Sequence, residues 1–154
     1  MPARVKKWNL LTTYNNYKAM NTGTLQRHWS EQKPQVFDRK NRLVRMDIIS
    51  QKGKPDGSED AEEVDGWSYV EVQIDRLMEY GHIKSQLIEA GFAQKDEFGL
   101  LMNAVGDIID AAIGADSWES FREALSTDDI QQMRDFTAYR AMCAQAAKDV
   151  LKVL

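Results

Sequence analysis

RLVRMDIISQKGKPDGSEDAEEVDGWSYVEVQID, residues 42–75, decides how the rest of the chain is read. Val44, Met46, Ile48 and Ser50 alternate with Leu43, Arg45, Asp47 and Ile49, which is the two-residue period of a strand. The first set is the more apolar and is expected to face a core. Val70, Val72 and Ile74 repeat the pattern against Tyr69, Glu71, Gln73 and Asp75. Between the two runs, residues 51–66 hold glycines, one proline and six carboxylates but almost no apolar side chain. Such a segment has nothing to bury, so it reads as a mobile hairpin loop joining two strands.

That stretch also separates two parts of opposite charge. Residues 1–46 carry ten Lys or Arg and two carboxylates, a balance of +8; residues 47–154 carry ten and 22, a balance of −12, within a net charge of −4. The asymmetry points to a polyanionic or acidic partner for the first part. A chain of 154 residues suits one domain with a real core. The single cysteine, Cys143, excludes an internal disulfide and fits a reducing compartment. The expected location is the cytoplasm, or the host cytoplasm or virion for a viral chain. Apolar stretches are interrupted by aspartate or glycine and no apolar run follows the basic residues 4–7, so neither a membrane span nor a secretory signal is expected.

Working outward, residues 1–7 read as a short basic arm. Trp8, Leu10, Thr12 and Tyr14 alternate like a strand, with Asn15-Asn16 as a possible tight turn, while Leu10, Tyr14 and Tyr17 also fit a helix; strand is preferred for residues 8–21. Thr24 is expected to cap a short helix from Leu25 to about Gln32, stopped by Pro34. Gln35–Phe37 and Arg42–Ser50 flank the polar turn 38–41 as a small hairpin.

Beyond residue 75 the period changes to 3.6. Tyr80, Ile83, Leu87 and Ala90 line a helix that ends at Gly91, with Phe92 placed to fold back over it. Phe98, Leu101, Val105, Ile108, Ile109, Ala112 and Ile113 mark a second helix, with Asp96 as N-cap and Gly114 just past its end. Gly99 and Gly106 inside it each cost roughly 1 kcal/mol relative to alanine, so packing of that stripe is expected to hold it. Ser117 caps a short segment bearing Trp118, Phe121 and Leu125. Ser126 and Thr127 open a final helix whose stripe runs Ile130, Met133, Phe136, Tyr139, Met142, Cys143, Ala146, Val150 and Leu154. Asp128 and Asp129 at its start and Lys148 and Lys152 near its end suit the helix dipole.

The fold class is therefore α+β: small antiparallel hairpins in the N-terminal half, then a bundle of about four helices with a long final one. Residues 1–75 form the basic, β-rich part with its acidic loop at 51–66, and 76–154 the helical part, within one folded unit.

Candidate chemistry thins out under inspection. Asp56, Ser58 and Asp60 match the first ligands of a calcium loop, but Ala61 stands where glycine is required and Trp67 where the bidentate glutamate belongs. His28, His82 and Cys143 lie on separate elements, so no metal is expected. No nucleophile motif and no phosphate-cradling glycine loop occurs, so neither a cofactor nor catalysis is expected. A helix-turn-helix over 117–140 would press Asp128 and Asp129 against DNA phosphates and is rejected.

The remaining signal is basic and aromatic. Lys6, Lys7, Trp8, Lys18, Arg27, Arg39, Lys40, Arg42 and Arg45 are the expected contacts to nucleic acid or another acidic surface. Cations neutralise phosphates, and exposed rings stack on unpaired bases. The expected role is a non-catalytic subunit of a larger complex, with other protein subunits as partners and no membrane. The alternatives are a self-assembling structural subunit of a virion, tail or secretion-type ring or filament, joined by basic-to-acidic contacts, and an acidic protein inhibitor.

Overall fold

The structure is a computed structural model that describes residues 19–55, 57 and 59–154. Lys6, Lys7, Trp8 and Lys18 lie outside the described residues, as do most of the strand-or-helix question over 8–21 and the loop residues Asp56 and Ser58.

Four strands come first: β1 (Arg27–Ser30), β2 (Phe37–Asp38), β3 (Leu43–Ser50) and β4 (Trp67–Gln73). They form one antiparallel sheet in the order β1-β4-β3-β2. The hairpin around residues 51–66 is as the alternation requires, with Val44 opposite Val72 and Met46 opposite Val70. All four side chains are buried. The alternation of β3 breaks at Asp47, which adopts φ 48° where the register shifts between Met46 and Ile49. Ile48 and Ser50 are consequently not core residues: Ile48 is half-buried and Ser50 exposed. The base of the acidic loop is structured, because Gly53 pairs with Val64 and the indole Nε1 of Trp29 donates to the Gln51 carbonyl at 2.9 Å. A Cβ on Gly53 or Gly66 would lie 2.5 or 2.3 Å from the Trp29 ring, so only glycine allows that approach.

The expected helix from Leu25 to about Gln32 is corrected by β1, which pairs with β4 from Arg27↔Val70 to Ser30↔Trp67. A helix of two turns is marginal alone, whereas the free edge of β4 offers a full ladder of hydrogen bonds.

Four helices follow: α1 (Tyr80–Gly91), α2 (Gln94–Gly114), α3 (Trp118–Ala124) and α4 (Asp128–Lys152). Ser117 caps α3 in a capping box with Ser120, and the Thr127 hydroxyl accepts from the Ile130 N–H at the start of α4. Asp96 is not the N-cap of α2. The helix begins two residues earlier behind Ala93, and Gly114 is its last residue.

The core joins Val44, Met46, Val70, Val72 and Ile74 of the sheet side to Ile83 and Leu87 of α1 and Tyr139, Cys143, Ala146, Ala147 and Val150 of α4. Phe92 folds back as its position requires, its ring centroid 5.1 Å from Phe136 and 5.2 Å from Tyr139. The Tyr139 hydroxyl donates to the Leu87 carbonyl, and burial holds it well above its ordinary pKa. Burial likewise pushes the Cys143 thiol up to about 11, which keeps it protonated and unreactive.

Candidate interaction surface

The expected contact residues fall into three groups. Lys6, Lys7, Trp8 and Lys18 belong to the undescribed N-terminal segment. Arg27 and Arg45 are matched within the fold. Arg27 meets the Asp47 carboxylate at 2.6 Å, the Asp47 carbonyl at 2.8 Å and the Ser68 hydroxyl at 2.8 Å. Arg45 meets Glu71 at 3.2 Å and Asp38 at 3.8 Å, and lies 5.8 Å from the centre of the Tyr69 ring. Arg39, Lys40 and Arg42 occupy the turn between β2 and β3, where Arg39 and Lys40 are exposed. That turn is braced by Asp38, whose carboxylate accepts from the Asn41 side chain and backbone; these bonds hold its pKa below the ordinary value.

The aromatic rings of the sheet do not stand free as a stacking platform. Phe37 is buried, and Trp29, Trp67 and Tyr69 are half-buried. Lys33 lies over the Trp67 ring, and His28 stacks on Tyr69. Among the described residues no cluster of His, Cys, Asp or Glu is arranged to hold a metal ion.

The larger departure from the sequence reading is on α2. Its stripe was expected to be core, yet Phe98, Leu101, Val105, Ile108, Ile109 and Ile113 are exposed, Phe98 at 65 % and Ile113 at 79 %. The buried side chains of α2, which packs against α4 and α3, are Ala104 and Ala111, two turns apart. A 3.6-residue period shows that a face is apolar and leaves open what covers it. Met102 extends the same face of α2, and Trp118 on α3 is a further exposed ring, at 64 %. Met102 lies outside the expected stripe, and Trp118 belongs to the short helix expected after Ser117. The available signal was width: apolar residues occupy more than half the circumference of α2, too much for a single neighbour.

Large apolar side chains exposed along one face of a helix, rather than scattered singly, mark an interaction surface. A groove of about 500 Å³ runs between α2 and α4, floored by Ala104, Ile108, Ile130, Met133 and Thr137. Arg134 is the charged residue in its lining, while the stretch 94–129 that carries α2 and α3 holds Lys95 and Arg122 against nine carboxylates, a balance of −7. Among the described residues no helix is long and apolar enough to cross a membrane.

The chain thus presents an exposed apolar face on α2, within an acidic stretch of sequence, and exposed cations at the turn between β2 and β3. No protein-family model matches the chain, and neither a curated protein nor a solved structure is significantly similar to it.

Proposed function

We propose that this chain is a non-catalytic subunit of a larger protein assembly, docked through the apolar face of α2 and α3, with its basic N-terminal part contacting an acidic surface. The observation that carries this reading is the exposure of Phe98, Leu101, Met102, Val105, Ile108, Ile109 and Ile113 along one face of α2. A surface of that chemistry is stable in water chiefly when another molecule covers it. Nucleic acid as the acidic surface is the weaker reading. Arg27 and Arg45 are occupied within the sheet, and the rings beside them are half-buried or buried.

Light scattering of nuclease-treated protein over a wide concentration range tests the reading. Association is expected without added oligonucleotide and is expected to disappear in the Ile109→Lys, Ile113→Lys double variant. The same variant should keep its thermal midpoint, because exposed substitutions change stability by only about 0.5 kcal/mol. A strictly monomeric wild type, or association unchanged in the variant, would overturn it.

A further inference from the structure

Resting on that reading, we infer that what covers the apolar face of α2 is the same face of a second copy of this chain, the two α2 helices packing antiparallel about a two-fold axis at Val105.

The face is its own image when the helix is reversed. Phe98 then meets Ala112, Leu101 meets Ile109, Met102 meets Ile108, and Val105 meets its counterpart, so every apolar position opposes an apolar one. All seven side chains are exposed. At about 100° per residue they lie within about 60° of Val105 around the helix axis, and no charged residue of α2 falls inside that arc. The three aspartates of α2, Asp96, Asp107 and Asp110, lie about 140–180° from its centre and so point away from the contact. Lys95 and Glu97 stand about 80° from it, and Arg134 in the groove lining is the charged residue on the α4 side. Two copies therefore meet on uncharged area.

Two features select the antiparallel arrangement over a parallel one. Reversal sets Phe98, the largest side chain of the face, against Ala112, the smallest, whereas parallel pairing sets ring on ring at one end and leaves a void between methyl groups at the other. Reversal also carries Lys95, the only cation of α2, to the far end of the second copy's helix, whose last turn holds no basic residue to offset its carbonyls. The helix itself needs such a neighbour. Of its 21 residues only Ala104 and Ala111 are buried, and Gly99 and Gly106 in its interior are unfavourable to it. A contact of this kind uses the same patch on both copies and closes at a dimer.

Cysteine cross-linking in the full chain tests the inference, since the one native thiol, Cys143, is buried. Copper phenanthroline should link Val105→Cys to itself at least tenfold faster than Asn103→Cys, which lies about 160° around the helix. Phe98→Cys and Ala112→Cys should each stay unlinked alone, because reversal leaves each about 21 Å from its own counterpart, and should link to each other when mixed. Self-linking of Ala112→Cys, or equal rates for Val105→Cys and Asn103→Cys, overturns the inference. If wild type associates and the Ile109→Lys, Ile113→Lys variant does not, while Val105→Cys stays unlinked, the face docks in another register or on another molecule: the inference falls and the proposed function stands. A wild type that is monomeric at every concentration overturns both.

Discussion

Arg27 shows why a basic residue in a basic segment need not be a contact residue. Its guanidinium is held by Asp47 and Ser68, and both side chains of the Arg27–Asp47 pair are only 12 % exposed. Removing one member of a pair this buried strands the other, so Arg27→Ala is expected to lower stability by about 3 kcal/mol, whereas exposed Arg39→Ala should stay within about 0.5 kcal/mol. Denaturant melts check this, and equal costs would show that the pair does not support the sheet. The pairing was not legible because it depends on Asp47 at a register shift twenty residues away, with a positive φ that no local signal announced. A second residue-scale expectation concerns Asp75. Its carboxylate accepts from His82 at 2.5 Å, and that bond, followed by the Leu77 N–H, holds its pKa below 3.8. A carboxyl lowered in the folded state adds stability that is complete above the unfolded value and is lost as pH falls through the folded one. In His82→Ala, carboxyl NMR titration should find Asp75 moved up toward 3.8; an unmoved titration would assign the lowering to the backbone alone.

Among the elements, those carrying their own start and stop signals were readable. α1 ends at Gly91 and is overlaid by Phe92, and α4 begins behind Thr127, as the sequence indicates. The requirement for glycine at position 91 goes beyond termination. A Cβ there would come within 2.6 Å of the Tyr139 ring and 2.8 Å of the Thr22 carbonyl. Gly91→Ala is therefore expected to force α1 and α4 apart and to cost about 1–3 kcal/mol, as overpacking does. A thermal midpoint equal to wild type would refute it. β1 was misread as helix because its conformation is decided by the edge of β4, a partner forty residues away. α2 is legible as a helix with an apolar face, but its sequence alone does not show that Ala104 and Ala111 would be the buried residues.

For the molecule as a whole, α4 is the common member. At about 37 Å it is longer than the sheet layer needs. Its later half, from Tyr139 to Val150, is sealed between α1 and the sheet, while its earlier half carries α2. Nine carboxylates against Lys95 and Arg122 lie on α2, α3, the links beside α3 and the first residues of α4. Stability must then be graded along one continuous rod. Amide protons of residues 139–150 should exchange only by global unfolding, and those of α2 and residues 128–137 at a markedly lower opening energy. Uniform protection from Asp128 to Lys152 would deny that gradation. A protein built this way keeps a permanent anchor at one end and a loosely bound appendage at the other, so that rearranging the appendage leaves the anchor undisturbed.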